Sequence, residues 1–411
     1  MKKKLLIVVG AGASIEFGMP SVGGIDKLFE QVAAPYFSLV TNPHSNLYAH
    51  VRDQINCYYG HNPKAGLRKW ANFEEVLYQL NLLVPHFSDP TYTHGANSAL
   101  QPLTLPDVLH FGRNPSSVDG NMLQQLSSTL IDALVDEFID RCSQVGMQKA
   151  GELSELSGFL DALGEEFDLG IVTLNYDNIF TQARPSLRTG FDRDTGKFAP
   201  HSVFNNEQWG FIYHLHGSVH FAMSGTGYDM HGITWRDKPE KDHLVHANGR
   251  NGQDSMEGLD FPTSPVVAGY GKTQQILRQP FNTFFGQLSR LTYEADSVLF
   301  LGYGFGDLHL NATFSDIRGR RRPITVVDFA QDDEDWVANR NDNWSYQLGK
   351  TIPTNTGRMH PEGHSAPWSV DELKQAMKME VSPDKELPLA IWYNGMLQAC
   401  RNPDKILTQL V

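Results

Sequence analysis

The chain is poor in cysteine, in basic residues and in long apolar runs, and each shortage excludes something. It has three cysteines in 411 residues, Cys57, Cys142 and Cys400, too scattered for a disulfide framework and too few for a four-cysteine zinc site. A reducing cytosol is the expected compartment. No stretch reaches the roughly 18 uninterrupted apolar residues of a membrane span. The start, three lysines and then Leu5-Leu6-Ile7-Val8-Val9, reaches turn residues too soon for a signal peptide. Lys plus Arg number 34 against 47 Asp plus Glu, a formal charge of −13. Non-specific nucleic-acid affinity comes from cations that neutralise phosphates, so direct nucleic-acid binding is not expected.

What is present is the composition of a folded protein, 40% hydrophobic and 20% charged, long enough for two or three lobes or one domain with a large insertion. Six short apolar runs, at 5–9, 170–174, 211–215, 265–268, 297–301 and 324–327, read as strands covered on both faces. The predicted fold is α/β, a Rossmann-like parallel sheet of about six strands with a large helical insertion. Within the insertion, Asn72 is expected to cap a helix with Glu75 closing a capping box, and Asn121 opens a longer one. A third helix runs from about Leu153 to a C-cap at Gly164. The expected organisation is a sheet domain of residues 1–24 and 166–330, an inserted helical lobe of 25–165, and a C-terminal segment of 331–411. That last segment is read as loops with helices at 370–379 and 389–400, available for oligomer or partner contacts, and residues 223–262 as a long polar excursion.

Polar and glycine-rich residues recur where the apolar runs end. Gly10-Ala11-Gly12-Ala13-Ser14 follows the first run, a turn in which backbone N–H groups can approach a diphosphate. The dinucleotide fingerprint is incomplete, because Ile15 stands where its third glycine belongs. Asn175-Tyr176-Asp177 ends the second run and His214-Leu215-His216-Gly217 the third. Gly302-Tyr303-Gly304-Phe305-Gly306-Asp307 ends the fifth, with His309 and Asn311 beyond it, and Asp328 ends the sixth. In open α/β sheets ligands sit at the carboxyl ends of the strands. Taken singly, Asn175 and Asp177 also read as helix caps, and one histidine of the pair as a structural one.

As an ordered set, these segments resemble the sirtuin-like family, together with Gly18-Met19-Pro20 and Asn72-Phe73-Glu74. The resemblance implies NAD as substrate at the sheet edge and scission of its nicotinamide–ribose bond. Asn175 would position the reacting ribose or water, and His216 would act as general base. The candidate NAD-binding set is Gly10, Ala11, Gly12, Ala13, Ser14, Pro20, Asp177, Gly302, Tyr303, Gly304, Asp307, His309 and Asp328.

The family's protein deacetylases carry a zinc ribbon of two Cys-x-x-Cys pairs, absent here, and Ser21-Val22-Gly23 stands where they have Asp-Phe-Arg. Water is then the expected acceptor, giving nicotinamide and ADP-ribose as in bacterial antiphage sirtuin-like proteins, with no metal expected. Such an enzyme needs restraint, so a homo-oligomer or a separately encoded partner is expected, and the resemblance suggests a HerA-like hexameric ATPase or another defence sensor for that partner. NAD-dependent deacylation, ADP-ribosyl transfer and a non-catalytic NAD-binding subunit remain open.

Other signals carry less. Gly271-Lys272-Thr273 ends like a phosphate-binding loop, but that pattern's first glycine falls on Val266. His231, His243 and His246 read as surface histidines without ligand spacing, and the cluster Arg318, Arg320, Arg321 and Arg322 as a solvated turn.

Overall fold

A computed structural model describes residues 2–61, 70–87, 103–205, 209–224, 232–241, 253–256, 259–262, 264–316, 321–330, 344–352, 368–383, 386 and 388–411. The chain forms two compact units: Met1–Met19 with Arg141–Ser218 and Arg278–Val411, and Pro20–Asp140 with Val219–Leu277. The helix Ala150–Glu166 and the C-terminal segment thus belong with the sheet, and the excursion after Ser218 with the helical unit. Among the described residues, no helix is long and apolar enough to cross a membrane.

The first unit is built on seven strands: β1 (Lys3–Val9), β2 (Phe167–Thr173), β3 (Phe211–His214), β4 (Ser297–Leu301), β5 (Ile324–Val327), β6 (Glu380–Val381) and β7 (Leu389–Trp392). Their order is β6-β7-β5-β4-β1-β2-β3, parallel except for β6, which runs antiparallel to β7. Leu5 to Val9 and Val298 to Leu301 are almost wholly buried, as strands covered on both faces must be. Chain direction reverses its progress through the sheet between β1 and β4, the switch point of a doubly wound fold. Tyr213 stacks between Phe211, 4.5 Å away, and Phe284 of the helix Phe281–Glu294, 4.9 Å away. That helix buries Phe281, Phe284, Leu288 and Leu291 along one stripe.

Two expectations about the C-terminal half change. The run Leu389-Ala390-Ile391-Trp392, expected to begin a helix, is β7 and extends the sheet, pairing in parallel with β5. A four-residue apolar run has no period that separates strand from helix. Its full burial beside β5 and the turn at Gly395, whose carbonyl accepts from Trp392 Nε1 at 3.1 Å, decide for the strand. Helix follows only at Met396–Cys400. The carboxylate of Glu16 caps it, accepting from the N–H groups of Met396 and Leu397 at 2.6 and 3.0 Å. Arg322, expected in a solvated turn, is buried, and its guanidinium donates to the carbonyls of Thr292 and Ala295 where the helix Phe281–Glu294 ends. A cation there meets the negative end of the helix dipole. Arg318 and Arg320 lie outside the described residues.

In the second unit, Phe29 of the helix Val22–Phe37 meets Tyr48 and Phe73 edge-on, at 5.7 and 5.5 Å. Asn72 caps the helix Phe73–Phe87 as expected, its Oδ1 accepting from Glu75 N at 3.0 Å, while the Glu75 carboxylate takes the Tyr59 hydroxyl. Gly164 sits inside the helix Ala150–Glu166 of the first unit rather than ending it. The polar excursion contains two hairpins, Phe221–Ser224 with Gly232–Trp235 and Gln253–Met256 with Leu259–Pro262. His231, His243 and His246 fall outside the described residues. Lys272, from the discounted phosphate-loop signal, forms an ion pair with Glu74 at 3.0 Å.

The fourth expected strand, Pro265 to Ala268, lies in this second unit and, among the described residues, joins no sheet, with an isolated bridge at Val266. The segment is buried, so its backbone groups need partners, and side chains supply them. Gln275 brackets Ala268, donating from Nε2 to its carbonyl at 2.8 Å and accepting its N–H at 3.3 Å, and Ser264 Oγ takes the N–H of Val266 at 3.1 Å. Gln275→Leu should therefore strand a buried donor and acceptor and cost about 2–4 kcal/mol, read as a lower urea midpoint at unchanged slope. An unchanged midpoint would show that the amide is dispensable.

Candidate active site

The strand register sets the site. Val9, Thr173 and His214 are partners across β1, β2 and β3, and Val9, Leu301 and Val327 across β1, β4 and β5. Five parallel strands therefore end flush, and the residues after each end emerge along one edge: Gly10, Asn175, His216, Gly302 and Asp328.

At the switch point the two glycine turns touch through their backbones. Gly10 N donates to Leu301 O and Gly12 N to Gly302 O, both at 2.9 Å. A Cβ on Gly10 would lie 2.7 Å from Gly302 O, and one on Gly302, where φ is +57°, would lie 2.0 Å from Ala13 N. No side chain fits between them. Gly304 and Gly306 are different: both are exposed, with left-handed backbone at neither and nothing within 4 Å of a Cβ. Packing does not require glycine at these two positions, and they leave the loop open for a ligand to approach the main chain.

Asn175 is 6% exposed and fixed in orientation. Its Nδ2 donates to Gly10 O at 3.0 Å and to Ser14 Oγ at 2.9 Å. A carbonyl oxygen can only accept, so the atom facing Gly10 is the amide nitrogen. Oδ1 remains to accept from a hydroxyl or a water. Ser14, accepting from Asn175, turns its own hydroxyl to Asp177, whose carboxylate also takes the N–H of Ile179 at 3.1 Å. Burial nonetheless holds the Asp177 carboxyl above its usual range, against the hydrogen bonds from Ser14, Ile179 and Asn175.

His216 is buried and meets His309 through the two Nε2 atoms, 3.4 Å apart. β3 and β4 are separated by β2 and β1, roughly 14 Å in strand spacings, so the segment after β4 brings His309 back across those tips. It is held to that path. Phe305 adopts φ +54°, and Asn311 Nδ2 donates to its carbonyl at 2.7 Å while Tyr303 Oη donates to Asn311 Oδ1 at 2.7 Å. Asp307 O accepts from the N–H groups of Leu310 and Asn311 as the helix Leu308–Asp316 begins. Phe285 lies against both imidazoles, its ring 5.3 Å from His309 and 6.4 Å from His216.

Neither buried cysteine suits nucleophilic work. Burial, and then the charge of Asp177, push the Cys142 thiol far above its ordinary range, and burial pushes Cys400 up to about 12.

The expected residues thus fall into three groups: Gly10, Ala11, Gly12, Ala13, Gly302 and Tyr303 at the switch point; Ser14, Asn175 and Asp177 in one network; and His216 and His309 in contact with Asp307 nearby, with Gly304 on the loop leading to them. Asp328 stands at the same edge, its Oδ1 accepting the N–H of Phe329 at 2.8 Å. Pro20 belongs to the second unit. Phe285 escaped sequence reasoning because its helix reads simply as one apolar stripe, and the locking role of Tyr303 appears only in three dimensions.

Residues 169–346 match the family model of the SIR2-like domain. The match takes in Asn175, His216, Asp307, His309 and Asp328. Solved structures similar to the chain include a Sir2 homologue in complex with NAD (TM-score 0.32, 12% identity, 80% of this chain and 78% of that one). A Sir2 homologue variant in complex with ADP-ribose is similar at the same score and identity, over 80% of this chain and 82% of that one. No curated protein matches the chain in sequence.

The two kinds of glycine are separable by substitution. Gly302→Ala should cost more than about 3 kcal/mol or abolish folding, whereas Gly304→Ala should stay within about 1 kcal/mol of the parent in urea denaturation. Equal losses would refute the division.

Proposed function

We propose that the chain hydrolyses NAD at the nicotinamide–ribose bond, releasing nicotinamide and ADP-ribose. The observation that carries this reading is the pinned amide of Asn175 one strand away from His216: an oriented acceptor beside a group able to take a proton, at the carboxyl edge next to the switch point. Departure of nicotinamide leaves oxocarbenium character on the ribose, and a site for it needs orientation and electrostatic support more than a strong nucleophile. Asn175 Oδ1 would accept from a ribose hydroxyl or from the attacking water. His216 would take the proton given up as the new C–O bond forms, so that NAD and water become nicotinamide, ADP-ribose and one proton. Gly304 and Gly306 would leave main chain accessible to the dinucleotide, and Asp328 would accept from ribose hydroxyls. The absence of Cys-x-x-Cys pairs favours water over an acylated peptide as acceptor.

In this reading the enzyme serves antiphage defence in the cytoplasm by draining NAD. A homo-oligomer, or a hexameric ATPase of the HerA type, holds it off until infection.

Chromatography of NAD and its products tests this, with the full chain alone and together with the candidate ATPase. Equal amounts of nicotinamide and ADP-ribose should form without any protein substrate, and Asn175→Ala and His216→Ala should each lower turnover by about 10²–10⁴-fold with folding intact. Turnover that requires an acylated peptide would replace hydrolysis by deacylation. Intact NAD under every condition would leave a binding subunit.

A further inference from the structure

We propose that His216, Asp307 and His309 form a binding site for a divalent ion of the zinc class, and that its occupation silences the enzyme. One nitrogen from each imidazole and a carboxylate oxygen of Asp307 lie within 4.8 Å of one another. The spacing of the two nitrogens is informative. At 3.4 Å, Nε2 to Nε2 is long for an N–H···N hydrogen bond, which prefers about 3 Å. It suits two ligands of one tetrahedral ion: nitrogens each about 2.05 Å from a shared centre and 3.4 Å apart subtend about 112° there. Right-angled octahedral ligation at similar bond lengths would need them about 2.9 Å apart. Two imidazoles with one carboxylate is also a donor set that Zn2+ and Co2+ accept and that Mg2+ and Ca2+, which seek oxygen, do not favour.

The surroundings suit such a site. The loop that carries Asp307 and His309 is fixed through Phe305, Asn311 and Tyr303, so ligation requires little reordering of the backbone. Phe285 forms an apolar wall against both imidazoles, and an apolar shell controls solvent access around a bound ion. Three protein ligands leave a fourth position for water. The sequence carries no recognisable spacing for this site, since two ligands are two residues apart and the third lies 93 positions from His309.

Coordination occupies the lone pair on His216 Nε2, which is the pair that would accept the proton during hydrolysis. An imidazole with metal on Nε2 keeps its proton on Nδ1 and cannot serve as that base. Metal occupation and turnover are therefore mutually exclusive. This silencing rests on the NAD-hydrolysis reading; the site itself does not.

The test uses the full-length chain stripped of metal with a chelator, titrated with Co2+ while ligand-field absorption is followed, and then with Zn2+ to displace it. One Co2+ per chain should bind with the bands of a tetrahedral ion. His309→Asn and Asp307→Asn, each checked for native circular dichroism, should weaken binding at least about 10-fold, whereas a His243→Asn/His246→Asn double variant should bind like the parent. No saturable band, or affinity unchanged in both His309→Asn and Asp307→Asn, overturns the site. Equimolar Zn2+ should lower NAD turnover at least about 10-fold, reversibly with chelator, and full turnover at saturating Zn2+ overturns the silencing. Co2+ bound at these residues in a chain that never consumes NAD supports the site and removes only the hydrolysis reading.

Discussion

The close approach of two backbones, Gly10–Ala13 after β1 and Gly302–Tyr303 after β4, is the constraint on which the rest of the site depends. Parallel strands lie only about 4.8 Å apart, and turns leaving adjacent strand ends collide unless they lack side chains. Here the contacting residues are Gly10, Gly12 and Gly302, and Gly12 N and Gly302 O bond across the gap at 2.9 Å. That contact sets Gly10 O where Asn175 can reach it and Ser14 where it can bridge Asn175 to Asp177. Asn175 then owes its orientation to main chain rather than to its own rotamer preferences. The same contact starts the loop whose far end returns His309 to His216. The polar parts of the edge thus share one origin in covalent geometry.

Much of the sheet was legible because strands buried on both faces must be apolar throughout, and five of the six expected runs are strands of one sheet in parallel register. The two failures have a common cause. Pro265 to Ala268 and Leu389 to Trp392 are both short buried apolar runs, and such runs state that a segment is inside, not how its amides are satisfied. In the first, the side chains of Gln275 and Ser264 do part of what a neighbouring strand would have done. In the second, β5 offers a free edge that converts an expected helix start into β7. Arg322 follows the same logic: its charge suggested solvent, but the carbonyls at the end of the helix Phe281–Glu294 offered it a buried partner.

The candidate residues stand out in the sequence for a different reason. Glycines, asparagine, histidines and aspartates at strand ends stand out against apolar runs, and those from Asn175 to Asp328 fall within the stretch that matches the SIR2-like domain model. Their relations were not legible. Sequence spacing does not say that His309 crosses two strand tips to meet His216, that Phe285 faces both rings, or that the glycines of one loop divide into one demanded by packing and two that are not. Those depend on register and on the path of a loop, which only tertiary contacts define.

Glu16 ties the turn after β1 to the helix Met396–Cys400, joining segments 380 positions apart in sequence through two N–H donors. That carboxylate is a mechanical coupling. A subunit that gripped the helix and drew it outward would withdraw both donors and leave a half-buried anion two residues from Ser14. The strain would pass straight into the hydroxyl that orients Asn175, without crossing the sheet. Leverage at the far end of the polypeptide thus has a short route to the buried amide of Asn175.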